Sequence, residues 1–343
     1  MGNIMPIVIA AASGFCLTVL PGFLLIPWLY KLKFGQLLPA IAPNRDKHKQ
    51  GAPTMGGMLF IIGTAAAVIT GVVTAKLAGV DIVAGDSMVP AEMKTKFWSG
   101  LLMALSFAMV GFTDDYIKTV KKRSVGLAIR QKSLLQFIIC LAYLSSLHMG
   151  MGGTPHMFIP FMGNIDMGPF YWLFGICVIY GAVNAVRMTD GVDGLCTSVT
   201  LTAAAALGII AAMRGLFGVS LAAAALAGGC GGFLIWNRNP AKVMMGDTGS
   251  FFLGGMIAAL AYALGSPVIL LPVGLIYVIE AMSVVVQIGC FKAAKGKRFF
   301  KSAPVHRHLA MNGWNEKKIV TVFTLVNIAG CAAGITLMSY GGQ

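Results

Sequence analysis

Two adjacent carboxylates, Asp114 and Asp115, close an apolar run that begins near Phe97. An ionised carboxylate at the edge of hydrocarbon is costly, and this pair falls where a helix would end, the terminus whose dipole disfavours negative charge. Local stability does not account for them; the pair asks for a cation. Either they solvate a helix end and pair with Lys118 and the basic run behind it, or they bind a metal or an ionic substrate.

Other acidic residues stand in similar positions. In Thr189-Asp190-Gly191-Val192-Asp193-Gly194 the two aspartates are spaced i, i+3, so they share a face if the segment is helical, and the glycines let a ligand approach the backbone. The alternative is that Thr189 or Asp190 caps the next helix. Asn184 adds a polar amide inside the preceding span. Asp247, in Met245-Gly246-Asp247-Thr248-Gly249-Ser250, either caps a helix or holds magnesium while backbone N–H groups meet phosphate oxygens. Oxygen ligands without Cys or His partners favour Mg²⁺, and basic residues beside them favour phosphoryl transfer, where positioning and charge neutralisation supply most of the catalysis. Lys49 obeys an orientation rule or reaches a phosphate. His306 and His308 flank Arg307 in a cationic loop that suits anion recognition and is a weak zinc signal. Glu280 falls inside an apolar run, either as a functional group or as a hydrogen-bonded packing residue.

The elements that must position these groups are membrane spans. With 343 residues, 57% hydrophobic and 11% charged, the chain lies outside the range of soluble domains. Runs long enough to cross a bilayer fall at 4–30, 54–75, 97–113, 133–150, 169–186, 195–213, 216–236, 248–264, 267–291 and 319–340. The sequence therefore predicts an all-α polytopic membrane protein of about ten transmembrane helices in one integral-membrane domain, 1–343. The first run has no basic residues before it and reads as a retained helix, not a cleaved signal peptide.

The formal charge of +14 would suggest nucleic acid in a soluble chain. Here 22 of the 26 Lys and Arg fall in alternate loops, 31–53, 114–132, 187–194, 237–247 and 292–318. That asymmetry predicts both termini outside, these loops in the cytoplasm and an active site at the cytoplasmic face. The Gly and Ala clusters, such as Gly228-Gly229-Cys230-Gly231-Gly232, read as close helix packing. The seven cysteines show no CxxC spacing and read as small buried hydrophobes.

In order along the chain, Pro53-Thr54-Met55-Gly56-Gly57, FTDDYIK at 112–118, NAV-x-x-TDG-x-DGL at 184–195, NPA-x-V-x-MGD-x-GS at 239–250 and AP-x-H-x-H at 303–308 resemble the phospho-N-acetylmuramoyl-pentapeptide transferases. These belong to the polyprenyl-phosphate N-acetylhexosamine-1-phosphate transferase superfamily. The resemblance spans about Lys49 to Trp314. It implies transfer of phospho-MurNAc-pentapeptide from UDP-MurNAc-pentapeptide to undecaprenyl phosphate with Mg²⁺, in a multi-pass protein of the bacterial cytoplasmic membrane, as a homodimer. By position it implies catalytic roles for Asp114, Asp115 and Asp247, with Asp247 on the metal. It implies substrate contacts from Lys49, Lys122, Asn184, Asp190, Asp193, Met244, His306 and His308. Three residues depart from the pattern: Arg187 stands where the family usually has Asn, Arg307 interrupts a usual His triplet, and Met244 replaces a common Phe. Two other readings remain: a relative that transfers GlcNAc-1-phosphate, and a transporter of anionic solutes, which calls for polar residues at mid-membrane in several spans.

Overall fold

Hydrocarbon offers no partner to a backbone N–H or C=O, so each apolar run must satisfy its own polar groups, and the helix does this within one segment. The computed structural model describes residues 2–31, 53–84, 90–120, 125–150, 156–294 and 298–340. Its helices are α1 (Ile4–Lys31), α2 (Gly57–Leu77), α3 (Pro90–Val120), α4 (Ile129–Gly150), α5 (Phe170–Thr189) and α6 (Leu195–Met213). They continue with α7 (Phe217–Asn237), α8 (Gly246–Ala263), α9 (Leu270–Val273), α10 (Leu275–Ala293), α11 (Val305–Met311) and α12 (Glu316–Tyr340). Several hydroxyls within the spans donate to carbonyls one turn back, as Thr70 does to Ala66 and Thr113 to Met109, so these cost little in lipid.

Nine of these helices are long and apolar enough to cross a membrane, among the described residues. The tenth expected span is α8, whose 18 residues make it about 27 Å long but whose first turn is Gly-Asp-Thr-Gly. Every residue from Thr248 to Ala263 is buried, because α8 sits inside the bundle against α3 and α5. A helix enclosed by protein has no need of the hydropathy that a lipid-facing one requires. A Cβ at Gly254 would stand 2.6 Å from Val183 Cα, and one at Gly255 would stand 2.9 Å from Ala104 Cα, so these glycines set the close approach of α5 and α3.

One expectation needs correction. The run 267–291 is not one helix: a 3₁₀ turn at Pro267–Ile269 and the short α9 precede a break at Gly274, and α10 starts afresh. Pro272 lacks the N–H that a continuous helix would use. Asn327 of α12 accepts the Ile276 N–H at 3.3 Å, serving a donor that the break would leave bare. The fold is the expected all-α polytopic membrane class, with one short antiparallel hairpin, β1 (His156–Ile159) and β2 (Gly163–Asp166), between α4 and α5. The Phe158 N–H donates to Gly265 O at 2.8 Å, and the Arg214 guanidinium lies 4.3 Å from the Phe158 ring centroid while donating to Leu264 O. The hairpin thus seals the end of the bundle where α8 finishes. Its other end, where α8 begins, gathers the carboxylates.

Candidate active site

Helices α3, α4, α5 and α8 meet there, and small residues allow the closest of these approaches. A Cβ at Gly111 would land on the Asp247 carbonyl, so α3 can press against the start of α8 only with glycine at that position. Gly246 has φ of +73°, a left-handed conformation, and a Cβ there would strike the Asp115 carboxylate. Glycine is required on both counts, and Asp247 follows it into the first turn of α8. The segment 53–57 fixes this turn from outside. Met244 N–H donates to Pro53 O at 2.9 Å, while Gly56 and Gly57 N–H groups donate to Met244 O and Met245 O at 2.9 and 3.1 Å.

Asp114, Asp115 and Asp247 each bring a carboxylate oxygen within 4.8 Å of the other two. At that separation like charges repel by roughly 3–4 kcal/mol per pair with an effective dielectric of about 20, so the arrangement needs positive charge. Among the described residues, three cations supply it. Lys132 of α4 lies 2.9 Å from Asp114 Oδ2 and 3.1 Å from Asp247 Oδ2. Lys118 pairs with Asp114 and lies 3.0 Å from Asp247 Oδ2. Arg187 Nε of α5 donates to Asp247 Oδ1 at 2.9 Å.

The remaining lone pairs are used unequally. Asp114 is fully buried, and its Oδ1 accepts the Leu127 N–H at 2.7 Å. Asp115 Oδ2 accepts both the Thr248 N–H, at 2.8 Å, and the Thr248 hydroxyl, at 2.7 Å. Its Oδ1 has Lys118 at 4.0 Å as its one ionic partner among the described residues. Asp247 is the most accessible of the three side chains and carries three ionic partners. An all-oxygen set of this kind suits a hard divalent cation, which takes one or two carboxylates and completes its shell with water and phosphate.

The comparisons with known proteins decide what kind of chain carries this cluster. Residues 97–265 match the family described as Glycosyl transferase family 4. A phospho-N-acetylmuramoyl-pentapeptide-transferase of Acetivibrio thermocellus is 40% identical over 339 residues, covering 97% of this chain and 95% of its own. One from Clostridium perfringens is 39% identical over 328 residues, covering 95% of this chain and 96% of its own. The chain belongs to the phospho-N-acetylmuramoyl-pentapeptide-transferase family. A third member, from Listeria monocytogenes, is 37% identical over 330 residues, covering 96% of this chain and 97% of its own.

Within this family member the other sequence-predicted site residues separate into groups. Lys49 and Lys122 lie outside the described residues. Asn184 donates to Gln136 Oε1 at 2.9 Å and to Tyr180 O at 2.8 Å, one side chain inward from Lys132 on α4. Asp193 is buried, and its Oδ2 accepts the Ala241 N–H at 3.0 Å and the Asn239 amide at 3.3 Å, so it fastens the loop before α8. The same Asn239 amide donates to Glu316 Oε2 at 2.8 Å. Asp190 caps α5 through its own N–H, which donates to Arg187 O. Met244 is buried with its backbone in the 53–57 clip.

The two histidines part company. His306 is buried; its N–H donates to Glu280 Oε1 at 3.1 Å and its Nδ1 lies 3.0 Å from Glu280 Oε2. Its other ring nitrogen packs against Gly191, beside Asp190, in a space that any Cβ at that position would fill. Glu280 therefore anchors the start of α11. His308 faces the other way, with Nδ1 accepting the Lys301 N–H at 3.2 Å and Nε2 3.0 Å from the Asn312 amide. Arg307, between them, is exposed.

Sequence reasoning missed Lys132 and Gln136 and treated Arg187 only as a departure. Lys132 was hidden among six basic residues of the 114–132 loop, each of which an orientation signal explains. A lysine and a glutamine at i and i+4 opening an apolar helix, Lys132 and Gln136, were the available clue.

Proposed function

We propose that this chain transfers phospho-MurNAc-pentapeptide from its UDP-linked donor to undecaprenyl phosphate, releasing UMP and forming lipid I, at the cytoplasmic face of the bacterial cytoplasmic membrane. The observation that carries this reading is the carboxylate–cation cluster at the meeting of α3, α4, α5 and α8, in a member of a family named for that transfer. Both substrates are anions, and the reaction is opposed by their repulsion before any bond changes.

Asp247, with Asp115 Oδ1 beside it, would hold Mg²⁺. When bound, that ion supplies charge neutralisation at the donor diphosphate and stabilises the departing UMP. Lys118, Lys132 and Arg187 hold the remaining charge in place and offer N–H donors to phosphoryl oxygens. An oxygen of the lipid phosphate forms a bond to the β-phosphorus of the donor, and the bond from that phosphorus to the bridging oxygen breaks, the electron pair leaving with UMP. A phosphate monoester with a second pKa of about 6 is largely dianionic at neutral pH, so no strong base is needed.

Direct transfer is favoured over a phospho-aspartate. Asp114 has both oxygens engaged and no exposure, and Asp115 has one oxygen committed to Thr248. Direct transfer inverts the β-phosphorus made chiral with oxygen isotopes; net retention would defeat it. The test of the function is Mg²⁺-dependent UMP release by purified protein, expected with undecaprenyl phosphate present and lost without it. Preference for UDP-GlcNAc as donor would replace the muramoyl-pentapeptide reading with the GlcNAc-1-phosphate one.

A further inference from the structure

Among the described residues the cluster holds three carboxylates and three cations, and the cations are not equivalent. Lys118 and Lys132 each bridge Asp114 and Asp247. Among the described residues Arg187 pairs with one carboxylate, Asp247, and does so through Nε. Its terminal nitrogens make no hydrogen bond among the described residues, its side chain is 39% exposed, and its guanidinium carbon lies 5.6 Å from the centroid of the Phe251 ring. A guanidinium is a rigid planar fork matched to two oxygens of a phosphate or carboxylate. Here one arm is spent on Asp247 Oδ1, and the terminal nitrogens have no hydrogen-bond partner among the described residues.

The same geometry sets up a competition. A divalent cation on Asp247 must contend with the positive charges already on that carboxylate, and among the described residues Arg187 is the one that pairs with no other carboxylate. It can therefore be displaced without stripping Asp114 of its neutralising lysines.

Resting on the transferase reading, we propose that Arg187 is a phosphate-recognising residue of this site that also competes with the divalent cation for Asp247. It holds Asp247 Oδ1 until a metal takes that oxygen, and it presents its terminal nitrogens to a phosphoryl oxygen of the donor diphosphate. The residue thus couples metal binding to anion binding, because each releases part of the guanidinium to the other task.

Two binding measurements on the full-length protein in detergent test this without turnover. Mn²⁺ affinity is read from the free-ion electron paramagnetic resonance signal with no nucleotide present. Pyrophosphate affinity is read by calorimetry in metal-free buffer. Arg187→Asn is expected to bind Mn²⁺ about five- to tenfold more tightly and pyrophosphate about tenfold more weakly. Arg187→Lys, which keeps the charge but not the fork, is expected to stay near wild type for Mn²⁺ and still lose several-fold for pyrophosphate. It carries the anion measurement if the Asn variant does not fold. Unchanged or weaker Mn²⁺ binding in Arg187→Asn overturns the proposal, as does unchanged pyrophosphate binding in a folded variant. Wild-type protein that bound both probes yet released no UMP from the sugar nucleotide would sink the transferase reading and leave this one standing.

Discussion

At the scale of single residues, the site is an exercise in charge balance. Asp247 carries the proposed metal role, and two of its three cationic partners have Asp114 to fall back on. Asp247→Ala should therefore reduce UMP release by about a thousandfold or more while the melting temperature moves by only a few degrees. Normal activity in well-folded variant protein would remove Asp247 from the mechanism. Glu280 presents the opposite case. It is fully buried and holds both the ring and the N–H of His306, so Glu280→Ala strands a buried imidazole and a helix N-terminus together. The expected loss is about 2–4 kcal/mol of local stability. Hydrogen exchange should show it as faster exchange in 305–311 than in α5. The aspartates were legible in the sequence because a carboxylate beside an apolar run has to be explained. The Glu280–His306 contact was not, since its partners are 26 residues apart and each has a bland reading of its own.

At the scale of elements, glycine decides how closely the helices approach. Gly111 lets α3 lie against the first turn of α8, which brings Asp114 and Asp115 within reach of Asp247. Gly111→Leu should push the two helix ends apart and cost transfer activity at least a hundredfold, because misplacement by about 1 Å is already that costly to a positioned reaction. Binding of Mn²⁺ should weaken in parallel, and a variant that kept metal affinity while losing activity would count against this account. The spans themselves were readable from apolar length. The break between α9 and α10 was written in Pro267, Pro272 and Gly274, but a window on hydropathy averages over such residues. The hairpin left no comparable trace: its strands are four residues each and stand by contacts with Gly265 and Arg214.

At the scale of the whole molecule, the bundle has two ends with different work. Arg214, one of four basic residues outside the loops that carry the orientation signal, is occupied in holding Phe158 and the Leu264 carbonyl. Arg214→Ala should lower the melting temperature by a few degrees and leave the KM for both substrates unchanged, since the hairpin lies at the opposite end of α8 from Asp247. A changed KM would mean that the two ends communicate. The helix joining them has a further consequence for how such a chain is made. Because α8 is too polar at its start to partition into lipid on its own merits, the insertion machinery should release it only once its neighbours have formed a sheltered slot. The segment bearing Asp247 would then be among the last to settle, so a nascent chain acquires its chemistry only after most of its assembly is complete.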